Sequence, residues 1–292
     1  MKRLLLSALA ATSLFTATAA TGTTASQTKK ENCTVVMEAR RSTMNFHEID
    51  VTHAIKLIID DRSEGNIIIR ATKDIMPYVD VTVKDGKLCA RLVDGFGKKR
   101  KTVVVNHNTR YSAEVHIPNN GRISEISATG AACVIVKPTL VATNLELEAT
   151  GAAHILLAAN VKGKAEIDCA GASSIKATLN VAECELEIAG ASSTTLSGSA
   201  QKCDIKAVGA SKVNAGDFKC HTLEASAVGA SHLTATGSTC DIQAAGASKV
   251  NVHCNGTLSA DAVGASKIIY SGNCTILRAS NAGASKIQKQ TH

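Results

Sequence analysis

The sequence predicts an all-β protein: a single-stranded right-handed parallel β-helix, or solenoid, preceded by a β-rich N-terminal section. Three observations carry this. Gly-Ala-Ser or Gly-Ala-Ala begins at Gly130, Gly151, Gly171, Gly190, Gly209, Gly229, Gly246, Gly264 and Gly283, at spacings of 21, 20, 19, 19, 20, 17, 18 and 19 residues, and a period of that size marks a repeat architecture. Before each glycine the side chains alternate, as in Leu145/Leu147/Ala149 and Cys184/Leu186/Ile188, the period of a strand. The chain has no Trp, 3 Tyr and 4 Phe; so few large side chains make a thin core, as in solenoids, where each repeat packs on its neighbours.

Taken in order, residues 1–20 read as a cleaved signal peptide: Lys2 and Arg3, an apolar run from Leu4 to Phe15, then Ala17 and Ala19 at an A-x-A site. The run is too short to span a bilayer, and no later stretch is long enough, so export to the periplasm, the outer-membrane surface or the medium is expected. Residues 21–32, rich in Thr, Ser and Lys, read as a flexible leader. Residues 33–122 form the β-rich section, with strands expected at Ile49–Val51, Ile55–Ile59, 66–70, Val79–Val83, Leu88–Leu92, Thr102–Val105 and Glu114–Ile117 and a hairpin turn at Asp85-Gly86. This section is expected to cover the first coil and hide its open edge. Residues 123–292 carry nine Gly-Ala-Ser/Ala coils. One corner motif per ~19 residues, rather than a turn signal at every reversal, means a chain that climbs. At about 4.8 Å per coil the column would be roughly 40 Å long. A second short strand should follow each corner, since the fourth residue after the glycine is β-branched or Leu in every coil.

The arrangement resembles a bacterial family, the head GIN domain of putative auto-transporter adhesins, in the signal peptide, the segment Ala113–Pro118 (Ala-Glu-Val-His-Ile-Pro), Ile126–Gly130 (Ile-Ser-Ala-Thr-Gly) and the serial Gly-Ala-Ser units. The resemblance covers essentially the whole mature chain. It implies a pectin-lyase-like parallel β-helix with adhesin-like surface binding and no catalytic residues.

Two outward ladders carry charge. Five residues before the corner glycine stand Glu125, Glu146, Glu166, Glu185, Asp204, Glu224 and Asp241, with Glu148, Asp168 and Glu187 two residues further on. Such a face could take a cation or acidic sugar, or simply keep the column soluble. Neighbouring carboxylates ~5 Å apart repel by about 0.8 kcal/mol in water, so no ion is required. With no D-x-D-x-D-G loop or C-x-x-C pair, no metal site and no cofactor is expected. Three residues after the glycine stand Lys212, His232, Lys249, Lys267 and Lys286, with His154 earlier; this stripe could receive an anionic glycan or lipid headgroup. The candidate ligand face is therefore Glu146, Glu148, Glu166, Asp168, Glu185, Glu187, Lys212, Lys249, Lys267 and Lys286, and the expected partners are a surface glycan or another envelope protein. Without Lys2 and Arg3 the formal charge falls from +7 to +5; the one basic run, residues 98–101, reads as a loop, and nucleic acid is not implied. Cys184, Cys203, Cys220, Cys240 and Cys274 are expected to form one ladder of mostly buried thiols, with Cys184 and Cys203 the pair best placed to bridge. The sequence reads as a binding or structural module, not an enzyme. A polysaccharide lyase or hydrolase using the acidic face is the competing reading, weakened by the missing Trp and uniformly short coils.

Overall fold

The computed structural model describes residues 35–41, 45–60, 65–73, 75–93 and 112–290. The expected signal peptide, leader, basic run and strand Thr102–Val105 lie outside the described residues. Seven strands make up the first section: β1 (Val35–Arg41), β2 (Glu48–Val51), β3 (Ile55–Ile59), β4 (Asn66–Thr72), β5 (Val79–Lys84), β6 (Lys87–Leu92) and β7 (Ala113–Ile117). Six of them match the period-2 reading; β1 was not anticipated. Asp85 and Gly86 both have positive φ, 51° and 82°, which is the two-residue turn that joins antiparallel β5 and β6.

Thirteen further strands build the solenoid. They are β8 (Glu125–Gly130), β9 (Cys133–Val136), β10 (Leu140–Ala142), β11 (Leu145–Gly151), β12 (His154–Cys169), β13 (Ser174–Ile188), β14 (Ser193–Gly209), β15 (Lys212–Gly229), β16 (His232–Gly246), β17 (Lys249–Gly264), β18 (Lys267–Ser271), β19 (Thr275–Gly283) and β20 (Lys286–Lys289). Each pairs in parallel with the strand one coil away. The expected second short strand after each corner occurs only in the first and last coils. In the middle coils one strand of 15 to 18 residues runs from corner to corner, because register shifts such as Val161/Lys164 and Ala215/Lys219 bend it without ending the ladder.

The corner glycines stack in register, Gly209 on Gly229, then Gly246, Gly264 and Gly283, all at φ near +80° to +90°. A Cβ at Gly209 would lie 2.9 Å from the Gly190 carbonyl oxygen of the coil below, so conformation and space both demand glycine. The overlap is one-sided: the Cβ points only toward the preceding corner. The serine two residues on is buried and turned inward rather than merely lining the corner. Ser192 donates to the carbonyls of Cys169 and Ala189 at 3.1 and 2.6 Å, whereas the Ser211 hydroxyl is buried with no partner.

The ladder begins before the first Gly-Ala. β2 pairs in parallel with β8, and β3 with β9, and the residue under Gly130 is His53, a non-glycine at φ 65°. β2 and β3 are in turn covered by β6 and β7, which come later in the chain. Antiparallel β5 flanks β6, while β4 and then β1 flank β7.

Inward residues fill a narrow core of Ile, Leu, Val and Ala, with Phe46 and Phe218 the bulkiest fully buried side chains. The single cysteine ladder does not form. Cys184 is in register with Cys203, but the next residue of that column is Leu223, which separates Cys203 from Cys240. Cys220 and Cys254 belong to a second column, split by Gly237. Bulges of differing length between the columns shift cysteines of similar sequence spacing onto different ladders. The nine described cysteines are unbridged.

Candidate functional site

Parallel in-register pairing multiplies any outward residue into a line of like groups one coil rise, about 4.8 Å, apart. Two acidic columns arise in this way. The first runs Glu125, Glu146, Glu166, Glu185, Asp204, Glu224, Asp241, and the structure extends it back to Glu48 on β2. The second runs Ser127, Glu148, Asp168, Glu187, Lys206. All six acidic candidates therefore do share one face. Sequence reasoning missed their cations. Lys164 lies 2.6 Å from Glu185 and 3.1 Å from Glu166; Lys206 lies 3.2 Å from Glu187, 3.4 Å from Glu185 and 3.5 Å from Asp204. Lys87 reaches Glu48 and Glu125 at one end, and Arg278 reaches Asp261 and Asp241 at the other. The signal was present in the repeat itself, since Lys206 occupies the coil position that holds Glu148, Asp168 and Glu187 in the preceding coils.

The titration of these groups follows their neighbours. The carboxylates that bond Lys164 and Lys206 hold both amines well above the ordinary lysine value, Glu185 foremost for the first and Glu187 for the second. Glu185 is lowered in return, chiefly by Lys164. Between the lysines the balance reverses. Asp168 is pushed up to about 6 by burial and then by Glu187, Glu166, Glu148 and Glu146, and Glu146 is raised by burial and by Glu125, Glu166 and Glu148. A shallow depression lined by Glu48, Glu125, Asn144, Glu146, Lys164 and Glu166 borders this patch. Among the described residues no group of three or more His, Cys, Asp or Glu side chains converges to hold a metal ion.

The basic stripe is also in register: Lys212, His232, Lys249, Lys267 and Lys286 pair in succession along β15, β16, β17, β18 and β20. His154 belongs to the same column, between Cys133 and Ser174, so the stripe turns continuously basic only from Lys212 onward. Unlike the acidic face it has no internal counter-charge: among the described residues none of the four lysines forms an ion pair. His232 is lowered by burial and by Lys249 and Lys212 above and below it, and its Nε2 accepts a long 3.5 Å contact from Asn251 Nδ2.

A third charged group is buried at the N-terminal section and was not read from sequence. Asp60, 3 % exposed, accepts from Lys137 Nζ at 3.0 Å and contacts His116 Nδ1 at 3.3 Å, while His116 Nε2 meets Glu114 at 2.8 Å. Glu114 continues to Lys56 and Arg70. Burial opposes the charge on Asp60, but the bonds from Lys137 and His116 outweigh it and hold its pKa below the usual carboxylate value. With both ring nitrogens of His116 engaged by carboxylates, the network locks β3, β7 and β9 together rather than presenting a reactive group.

Residues 45–239 match the family described as "Putative auto-transporter adhesin, head GIN domain". The chain belongs to that family. Solved structures agree on the fold of this head GIN protein. A putative adhesin from Parabacteroides merdae superposes with a TM-score of 0.67 at 16% identity, covering 89% of this chain and 98% of that one. A putative adhesin and a putative lipid binding protein, both from Parabacteroides distasonis, each give 0.65, at 18% and 17% identity, over the same shares of the chains. At such identities the likeness carries the fold and no ligand. No curated protein matches the chain.

Proposed function

We propose that this head GIN protein is an exported, non-catalytic, adhesin-like binding module of the cell envelope or surface, working through the sides of its solenoid. The observation that carries this reading is the lateral surface: outward residues repeat in columns from coil to coil, and the charged ones stand on strand faces around no more than the shallow depression beside Glu146. Asp168 is pushed up to about 6 by burial and by the carboxylates beside it, and those columns hold like-charged groups whose lysines are already shared. Nothing in this arrangement favours a lyase or hydrolase. The N-terminal stretch that reads as a signal peptide supports a location outside the cytoplasm, and the family name supports surface partners.

The test is to incubate the purified protein with a panel of neutral and acidic envelope polysaccharides and follow retention and released oligosaccharide together. Retention without release is expected. Sugar release abolished by Asp168→Asn would overturn the non-catalytic reading, and absence of retention on every panel member would overturn the adhesin-like one. Fractionation with surface protease shaving reads the location separately.

A further inference from the structure

We propose that the column Lys212, His232, Lys249, Lys267, Lys286 is a binding site for a linear acidic polysaccharide carrying about one carboxylate per sugar. The site rests on the reading of the chain as a surface binder and gives that reading a ligand class. Lys249, Lys267 and Lys286 stand on successive coils and repel by roughly 0.9 kcal/mol per adjacent pair at about 4.8 Å in water, and Lys212 extends the line beyond His232. The acidic face relieves equivalent crowding with Lys164 and Lys206, whereas this column has no carboxylate of its own within ion-pair distance among the described residues. An external polyanion would supply the missing charge and release the counterions gathered along the line.

The shape of the array selects the polymer. The positive charges form a line one residue wide, about 19 Å from Lys212 to Lys286 over four coil rises, which matches an extended chain better than a planar headgroup surface. The next outward column is Asn214, Thr234, Asn251, Ile269 and Gln288, and four of these five offer hydrogen bonds suited to sugar hydroxyls. The exposed valines Val208, Val228 and Val263, which a bilayer would take up, precede the corner glycine and are separated from the lysines by the Gly-Ala turn. With no Trp in the chain to stack on a sugar ring, affinity comes from charge and must fall with salt.

His232 adds a proton linkage. Its charged neighbours are Lys212 on β15 and Lys249 on β17, and both disfavour its protonation. A bound carboxylate reverses that field, so the histidine takes up a proton on binding and affinity rises as the pH falls through the histidine range.

Titration of the full chain into fluorescein-labelled polygalacturonate, followed by anisotropy at low and high sodium chloride, tests the site. We expect salt-sensitive binding that weakens about tenfold or more in Lys249→Gln/Lys267→Gln, survives in Lys249→Arg/Lys267→Arg and is unchanged in Lys202→Gln, an exposed lysine on another face. The extra affinity at lower pH should vanish in His232→Gln. Absence of binding to the polymer, an equal loss in Lys202→Gln, or binding only to phosphatidylglycerol vesicles would overturn the proposal, the last in favour of a membrane surface. If the Gln variants lose nothing while the protein is still retained on other envelope polysaccharides, the adhesin-like reading stands and this site falls alone.

Discussion

The acidic face and the basic column are made by the same device and end in opposite electrostatic states. Both are outward positions copied from coil to coil, and both place like charges about 4.8 Å apart. The acidic columns carry their own cations at intervals, so most carboxylates are satisfied within the protein and only the stretch around Glu146 and Asp168 remains crowded. The basic column runs over five coils with none. A repeat amplifies whatever the template residue is, and whether the product is a self-neutralised wall or an open electrostatic surface depends on a single substitution of sign within the ladder, such as Lys206.

Because both columns exist only while coils stay in register, the change expected to do most damage is at the corner. Gly209→Val forces a β-branched residue to φ +88° and sets its Cβ against the Gly190 carbonyl. A cost of about 3 kcal/mol or more is expected, seen first as loss of hydrogen-exchange protection between residues 190 and 229. Unchanged protection there would mean that the corner does not hold the register.

The contrast itself is probed by reversing one lysine on each face. Lys206→Glu removes the shared partner of Glu185, Glu187 and Asp204 and adds a further like charge, so chemical denaturation should register a loss of about 1–2 kcal/mol. Lys267→Glu relieves repulsion from Lys249 and Lys286 on the coils either side and should be neutral or slightly stabilising. Equal losses would erase the distinction between the two faces.

A smaller effect, opposite in sign, is expected at Asp168. Its folded-state pKa of about 6 lies above the ordinary value near 4. Between those two values the unfolded chain has released its proton while the folded chain keeps it, so ionisation weakens the fold as pH rises from about 4 to about 6 and the penalty persists above that. Asp168→Asn should therefore stabilise the protein at pH 7, by on the order of 1 kcal/mol after solvent screening, with no gain below pH ~4. A gain that is equal at both pH values would assign the effect to something other than charge. The smallest difference is at the corners: Ser192→Ala loses two hydrogen bonds and should cost about 1 kcal/mol, while Ser211→Ala removes an unpartnered buried hydroxyl and should cost close to nothing in the same melting experiment.

The periodic part of this fold was legible because Gly, alternation and small core residues all repeat, and the structure returns the corner line and both charged columns from them. What escaped is what does not repeat. His53 takes a glycine's place in the ladder at positive φ, so the layer formed by β2 and β3 has no Gly-Ala to announce it. The cysteines have near-coil spacing yet divide between two columns, because bulge lengths vary between Val161/Lys164 and Ala215/Lys219 and spacing in sequence ceases to measure height. Lys164 and Lys206 were visible as residues but not as shared counter-ions, since their bonds to Glu185 and Glu187 cross from one coil to the next and follow only when register is known. The Asp60–His116 network joins residues 56 positions apart, with no periodic cue.

The threading of β2 and β3 between strands from later in the chain has a consequence for the order of assembly. These two strands lie between β8 and β9 on one side and β6 and β7 on the other, so their edges cannot all be closed until residues up to 136 have been delivered. The chain therefore cannot zip from its N-terminus as it emerges. It must close the long loop between β2 and β8, whose partners Glu48 and Glu125 are far apart in sequence, an entropic cost that grows only slowly with length but precedes the growth of the column. From β8 onward each coil finds its template already formed directly beneath it, and growth becomes local. Folding should thus show one slow, concentration-independent step set by the N-terminal layer, followed by rapid stepwise extension whose rate is insensitive to how many coils remain.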